Sequence, residues 1–350
     1  MQEAALYDPE FGFYGAGRGA AGRSRDFLTS PEVGPLFGAV LARVLDAWWD
    51  ALDRPNAFRV VEAAAGVGTL ATSIRAARPR CGDALRYHAV ERSSALRSEL
   101  PDWVEAHVDL SEVEVADVVL ANELLDNLPV RLCVRRANRW REVMVDLDRG
   151  ADDPEGGAAL RFVAGDEVLD ERLPFDADDG AHVPLADAAR DWVRKARALA
   201  PDGWVCVVDY GVEHGAALAR RPLESWLRTY RGHERGLGPL ASPGQQDVTC
   251  EVPFDQLAFS AGTGPGPGDP AGRRERPPDR FRQADFLRAH GLDALVEEGR
   301  RIWRERAGIA DLAALTARSR VREAEALVDP DGLGAFQVVL WSPSAAQQAL

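Results

Sequence analysis

The segment Phe58 to Leu70, FRVVEAAAGVGTL, constrains the fold more than any other stretch of the chain. An apolar, β-branched run ends in the acid Glu62 and passes at once into small residues, after which the pattern turns helical. A strand, a tight loop and a helix in that order open a nucleotide-binding α/β sheet. Small residues let the backbone approach a ligand closely, and the first amides of the helix are unpaired donors at its positive end. Taken alone, Gly66-Val67-Gly68-Thr69-Leu70-Ala71 fits the dinucleotide pattern G-x-G-x-x-G/A, and Glu91 stands near the spacing of a ribose-binding acid. The loop therefore indicates a nucleotide-like cofactor and leaves its identity open.

The flanks narrow the choice. Read from the acid onward, Glu62-Ala63-Ala64-Ala65-Gly66-Val67-Gly68 follows E-x-G-x-G-x-G with the first glycine replaced by alanine. In that form it resembles the first signature of class I S-adenosylmethionine (SAM) methyltransferases. Arg86 to Glu91 (RYHAVE) reads as a second strand ending in an acid, suited to grip a ribose diol. Ala116 to Ala121 (ADVVLA) reads as a third, running into Asn122-Glu123-Leu124-Leu125-Asp126-Asn127-Leu128-Pro129. That polar string is foreign to dehydrogenases. It looks like the post-strand segment of one methyltransferase family, where polar groups at the sheet's carboxyl edge face methyl donor and acceptor.

The resemblance extends over nearly the whole chain, and it is to the MidA-like methyltransferases. Leu6-Tyr7-Asp8-Pro9-Glu10-Phe11-Gly12-Phe13-Tyr14 is similar to the family's L-Y-D-P opening, and Asp26-Phe27-Leu28-Thr29-Ser30-Pro31-Glu32 with Phe37-Gly38 to its D-F-[IL]-T-S-P-E segment. Trp140-Arg141-Glu142, Asp209-Tyr210-Gly211, Tyr230 with His233, Gly244-Gln245-Gln246-Asp247-Val248-Thr249 and Gly332-Leu333-Gly334 follow in the family's order. The resemblance implies an α/β fold: a Rossmann-like class I methyltransferase sheet with helices on both faces, an N-terminal helical cover and an inserted, mainly helical lobe. It implies SAM as cofactor and protein arginine as acceptor. The expected partner is a basic protein or peptide, with a respiratory-complex subunit among the candidates.

SAM already carries an activated methyl, so the protein's task is alignment and exclusion of water, with no metal required. Glu62, Ala64, Gly66, Gly68, Glu91 and Asp109 are the cofactor-binding candidates: Glu62 for the loop amides or the amino-acid end, Glu91 for the ribose, Asp109 for the adenine amine. Asn122, Glu123 and Asp126 are the catalytic candidates. A carboxylate holds a guanidinium through paired charge-assisted bonds, a role that fits Glu123, with Asp126 one helical turn on and facing the same side. The plainer reading has Asp126 and Asn127 capping a short helix before Pro129. Asp209, Tyr210, Tyr230, His233 and Asp247 are acceptor-binding candidates, His233 as a base suited to neutral pH.

Departures from the family are concentrated in the loop. Gly-Pro-Gly-Arg-Gly or Gly-Ala-Gly-Arg-Gly is usual there, where this chain has Ala64-Ala65-Gly66-Val67-Gly68. An alanine at a position that wants positive φ costs on the order of 1 kcal/mol. Two alternatives stay open: an assembly chaperone that kept the fold while its loop drifted, and a methyltransferase acting on a small molecule, since fold does not determine acceptor.

With 350 residues, 46% of them hydrophobic, the chain is able to bury one large core or a core plus a lobe. Its longest apolar runs, such as Trp204 to Val208, are strand-sized, so no membrane insertion is expected. No signal or transit segment opens the chain, which points to the cytoplasm. Cys81, Cys133, Cys206 and Cys250 are dispersed and read as reduced packing residues, not metal ligands. A net charge of -14 argues against a nucleic-acid partner. It suits a basic substrate, although solubility alone accounts for acidity too.

Residues 1–54 read as the cover, 55–210 as the SAM-binding core, 211–334 as the inserted lobe with a mobile loop at 261–279, and 335–350 as a returning strand and tail. Helical spacing predicts a helix over Pro35 to Leu52, started by Ser30 and Pro31. Core strands are expected at Phe58–Ala63, Arg86–Glu91, Trp103–Val108, Ala116–Ala121 and Trp204–Asp209, a late strand at Phe336–Trp341, and a hairpin turning at Asn138. Phe281–His290 and Glu297–Leu327 read as helical, the latter with a solvated face.

Overall fold

The computed structural model describes residues 1–16, 29–148, 159–231, 234–257, 277–309 and 311–343. It divides into two compact units: Ala20–Leu124, Lys195–Tyr210 and Pro278–Leu350 form one, and Met1–Gly19, Leu125–Arg194 and Gly211–Pro277 the other.

The first unit is built on a seven-stranded sheet. Its strands are β1 (Phe58–Ala63), β2 (Leu85–Val90), β3 (Glu105–His107), β4 (Val118–Asn122), β5 (Trp204–Asp209), β6 (Asp279–Arg282) and β7 (Gln337–Trp341). The spatial order is β3-β2-β1-β4-β5-β7-β6. β1 to β5 run parallel, β7 is antiparallel to β5, and β6 is antiparallel to β7. Residues of β5 are buried on both faces, as expected of a continuous apolar run in a covered parallel sheet. The strand order reverses between β1 and β4, which puts a crevice at their carboxyl ends.

Helix α1 (Pro35–Ala51) buries Leu36, Phe37, Val40, Leu41, Val44, Leu45 and Trp48, the stripe its sequence spacing predicts. It does not start at Ser30. Ser30–Val33 is a separate turn, Gly34 breaks the path with φ 159°, and the Glu323 carboxylate accepts from the Leu36 amide at 2.8 Å. Trp48 stacks on Trp204 of β5 with ring centroids 5.3 Å apart, fixing the helix against the sheet. Helix α2 (Thr69–Ala76) crosses α1 so closely that a Cβ on Gly38 would lie 2.4 Å from Ser73 Cβ.

The helical stretches expected in an inserted lobe at Phe281–His290 and Glu297–Leu327 form three helices, α3 (Gln283–Ala289), α4 (Leu292–Arg306) and α5 (Leu312–Leu327), that belong instead to this sheet unit. Phe286, Leu287, Leu292, Leu295, Val296 and Leu327 join the core that holds α1. Their charged faces dominated the sequence pattern, but each also carries an apolar stripe. Phe281 lies in β6, where pairing with β7 overrides its helical context.

Among its described residues the second unit is mainly β, not mainly helical. Ala159–Glu167, Arg139–Asp148, Arg131–Arg136 and His182–Leu185 form an antiparallel sheet in that order, and the expected hairpin turns through Ala137 and Asn138 at φ 48° and 61°. Leu227–Arg231 pairs with Glu234–Arg235 on one side and Asp247–Cys250 on the other. Leu6, Phe13, Leu132, Leu218, Trp226, Leu227, Val248 and Cys250 form its core. The compact units thus cut across the expected segments: 125–194 leaves the 55–210 core, and 211–334 is split near residue 277. Most of the loop expected at 261–279 lies outside the described residues, and Asp279 begins β6.

Candidate functional site

The loop after β1 is left-handed at alternate positions: Ala64 at φ 55°, Gly66 at 57° and Gly68 at 78°. A Cβ on Gly66 would meet nothing within 4 Å, whereas one on Gly68 would lie 2.8 Å from Pro101 Cδ. Gly66 therefore faces open space where a ligand fits against bare backbone, and Gly68 serves loop packing. Ala64 is exposed and bears the strain that the missing glycine would have avoided.

Glu91, at the carboxyl end of β2, is buried and accepts from the Gly66 amide at 3.0 Å and the Ser93 amide at 2.8 Å. Burial raises its pKa, and those two amides oppose the rise. Glu62 points away from solvent: Tyr87 Oη donates to it at 2.8 Å, and the Ala71 amide of α2 also bonds it. Burial pushes its carboxyl up to about 8. Glu62 thus ties β1 to β2 and to the start of α2. Asp109 accepts from the Ser111 amide and hydroxyl, at 2.9 and 2.7 Å, which hold its carboxyl below the usual range and cap the following turn.

At the end of β4, Asn122 Nδ2 donates to Glu123 Oε1 at 3.0 Å, and the Ser30 amide reaches the same oxygen at 3.3 Å. Glu123 holds φ 52°, an uncommon conformation for a side chain of its size, and its amide is tied to the Val208 carbonyl at 2.8 Å. Asn122 Oδ1 is buried with no hydrogen-bond partner among the described residues. The expected helical turn from Glu123 to Asp126 does not form. Only Leu125–Asn127 is helical, as a tight turn, because the left-handed Glu123 ends the regular path. Asp209 is fully buried at the end of β5 and accepts from the Tyr210 amide at 2.9 Å, while the Tyr210 ring packs against Phe336 with centroids 5.4 Å apart.

Two residues of this unit carried no site role in the sequence reading. Glu32 accepts from Thr69 Oγ1 at 3.0 Å at the start of α2, and Ser30 bonds both Glu123 and Gln283. The Thr29–Glu32 motif was visible; what it touches was not, because those partners are far away in sequence.

The second unit gathers a separate polar cluster. Asn127 Nδ2 donates to Asp247 Oδ1 at 2.9 Å, Tyr7 Oη donates to the Asn127 carbonyl at 3.3 Å, and Tyr14 Oη donates to Asn127 Oδ1 at 3.5 Å. Asp126 is buried within electrostatic reach of Tyr14. Burial, then the Asp247 charge, pushes the Tyr14 hydroxyl well above its ordinary range. Tyr230 stands directly opposite Asp247 in the strand register. Tyr7 and Tyr14 are the two tyrosines of the Leu6–Tyr14 segment, which carried no role in the sequence reading. His233 lies outside the described residues.

Residues 40–264 match the family described as "Putative S-adenosyl-L-methionine-dependent methyltransferase". The mitochondrial protein arginine methyltransferase NDUFAF7 of Danio rerio is 28% identical over 300 residues, 75% of this chain and 67% of that protein. Its Homo sapiens counterpart is 27% identical over 292 residues, 72% of this chain and 62% of that protein. The chain therefore spans about two thirds of the length of these curated relatives. A Burkholderia thailandensis protein whose crystal structure contains S-adenosylhomocysteine superposes with a TM-score of 0.76 at 27% identity, covering 97% of this chain and 86% of its own. The α/β fold expected from sequence is borne out by that superposition.

The expectation of a cytoplasmic protein is corrected by these relatives, which are named as mitochondrial. Among the described residues no helix is long and apolar enough to cross a membrane.

Proposed function

We infer, from the premise that this chain belongs to the MidA-like family of SAM-dependent methyltransferases matched over residues 40–264, that it transfers a methyl group from SAM to arginine of a protein substrate. The observation that carries the reading is the crevice edge where adjacent strands β1 and β4 end: an open-faced Gly66 loop on one, and on the other Asn122 with a buried Oδ1 that has no partner among the described residues, beside a Glu123 held at φ 52°. Bare backbone and an orphaned polar atom are features that a bound ligand completes. The acceptor chemistry is supported by the names of the curated relatives.

When bound, SAM supplies a methyl already activated on a sulfonium, so the residues act by position. The Gly66 and Gly68 loop, with Ala64 on its exposed side, lets the cofactor lie against α2's positive end. Glu91 fixes the loop through Gly66 and offers its remaining lone pairs to the ribose hydroxyls, and Asp109 stands at the end of β3 for the adenine amine. Glu62 acts through structure, holding β1, β2 and α2 in register. Glu123, oriented by Asn122 and Ser30, pairs with the guanidinium and takes the proton shed as the new N–C bond forms. Asp209 and Tyr210 border the same edge at the end of β5. Asp126, Asp247 and Tyr230 of the second unit, with His233, are proposed to bind a basic segment of the protein substrate. A respiratory-complex subunit as that substrate rests on the sequence resemblance alone.

Radiolabelled SAM with host lysate tests the assignment. Wild-type protein is expected to label arginine in protein, while Glu123→Gln binds SAM nearly as well by calorimetry and transfers on the order of a hundredfold less. Equal labelling by the variant removes Glu123 from the mechanism. Label confined to small molecules sinks the protein-arginine reading, and no SAM binding at millimolar ligand leaves the assembly-chaperone reading instead.

A further inference from the structure

Strands β2 and β3 form the outer edge of the seven-stranded sheet, and their register sets His88 opposite Glu105 and Val90 opposite His107. Alternate residues of a strand share a face, so His88, Glu105 and His107 project from one side of the same two strands. His88 Nδ1 lies 3.0 Å from His107 Nε2. Glu105 Oε2 lies 3.4 Å from His88 Nδ1, and its other carboxylate oxygen, Oε1, lies 3.6 Å from His107 Nε2. We propose that these three side chains bind a divalent transition-metal ion of the zinc type, at a site separate from the residues assigned to methyl transfer.

The distances carry the proposal. Metal bonds of about 2.0–2.1 Å to imidazole nitrogen and carboxylate oxygen place neighbouring donors about 2.9–3.4 Å apart, depending on geometry. The observed edges match that spacing or exceed it slightly, and the exposed Glu105 is the arm free to close the difference. The two imidazoles are only 14% and 11% exposed, so the sheet holds them in place, whereas the Glu105 side chain is 67% exposed. A fourth residue stands behind the first three. Glu112 Oε2 lies 3.9 Å from His107 Nδ1, the nitrogen turned away from the site, and is itself fixed by the Val108 amide at 2.9 Å. A carboxylate behind a ligating imidazole is the usual partner that sets ring orientation at metal sites. Among the described residues, His88, Glu105 and His107 are the group of His, Cys, Asp and Glu side chains close enough to share an ion. Two imidazoles and one carboxylate favour zinc, cobalt, nickel or copper over magnesium and calcium, and leave positions for water.

The place in the fold gives the ion a role. β3 is a three-residue edge strand, and the His107 carbonyl accepts from the Glu91 amide at 2.9 Å. An ion bound at His88 and His107 cross-links β3 to β2 beside the acid that grips the glycine loop. It acts as a staple for that edge of the sheet. The competing account is a simple hydrogen bond between two neutral imidazoles, and the two accounts differ in what metal does.

The test uses the full chain stripped with chelator. Zn²⁺ is titrated by calorimetry, Co²⁺ by its visible d–d absorption, and thermal unfolding is followed with and without Zn²⁺. The expected result is saturable Zn²⁺ binding, Co²⁺ bands that Zn²⁺ abolishes, and a thermal midpoint raised by Zn²⁺. Glu112→Gln, which keeps an oxygen for the Val108 amide, weakens binding about tenfold. His88→Ala and His107→Ala abolish the Co²⁺ bands. Glu105→Gln, at an exposed position that the fold does not need, weakens Zn²⁺ binding even if the histidine variants fail to fold. No Zn²⁺ binding at millimolar metal, or binding untouched by Glu105→Gln and Glu112→Gln, overturns the proposal.

Discussion

Ala64 sits at φ 55°, in the first glycine position of the loop after β1, and is exposed. An L-residue in the left-handed region costs about 1–2 kcal/mol, while a glycine loses about 0.4–1 kcal/mol through its freer unfolded chain. Relief of strain wins narrowly. Ala64→Gly is expected to raise unfolding free energy by about 0.5 kcal/mol in urea titration, and an unchanged or lower midpoint would contradict the strain. Glu62 gives a pH dependence. Burial raises its folded pKa to about 8 from 4.5, against the Tyr87 and Ala71 bonds that favour the charge. A carboxyl whose folded pKa is raised contributes stability that is complete below about 4.5 and lost as pH climbs through about 8. Glu62→Gln has no such proton to lose. Without ligand, its stability relative to wild type is expected to rise from about pH 5 to about pH 9, by on the order of a few kcal/mol. A difference that stays flat over that range would show Glu62 ionised in the fold.

At the scale of elements, the contact between α1 and α2 matters most, because α2 begins where the glycine loop ends. Gly38 is the point of closest approach, where a Cβ would lie 2.4 Å from Ser73 Cβ and 3.0 Å from the Ile74 backbone nitrogen. Backbone cannot give way as a flexible side chain does. Gly38→Ala is expected to cost about 1–3 kcal/mol in chemical denaturation, as overpacking does, and to weaken S-adenosylhomocysteine binding because the displaced helix carries the loop. Loss of stability with unaltered binding would separate the helix from the site. The Phe37-Gly38 pair stood out in the sequence, yet its reason is this crossing, which no local pattern encodes. Pro35–Ala51 was legible because its apolar stripe repeats at helical spacing. Its start was not: the cap is Glu323, nearly the whole chain away.

Across the whole molecule, the four cysteines report on both units. Cys81 and Cys206 lie in the sheet unit, Cys133 and Cys250 in the other, and all are free and buried. Burial pushes the Cys81 and Cys206 thiols up to about 12 and Cys133 to about 11, and raises Cys250 as well. Native protein at neutral pH is therefore expected to resist thiol reagents until it opens, and S-adenosylhomocysteine should slow labelling of Cys81 and Cys206, read by mass spectrometry. Rapid labelling of the folded protein would show that these thiols are accessible. Taken alone, the sequence determined the five parallel strands of the sheet and the returning β7, though not β6: apolar runs, acids at strand ends and the loop beginning at Ala64 are short-range signals, each contained within one strand and its turn. It also determined the candidate residues at those strand ends, since a strand's last residue is known once the strand is. Tertiary structure decided which unit each segment joined, sending 125–194 away from the core and bringing the helices of 283–327 into it. It also decided what the candidates touch: Glu91 on Gly66, Glu123 on Ser30, Asn127 on Asp247, His88 on His107. Those pairings arise from burial and strand register between distant segments, a long-range property that composition and periodicity do not carry.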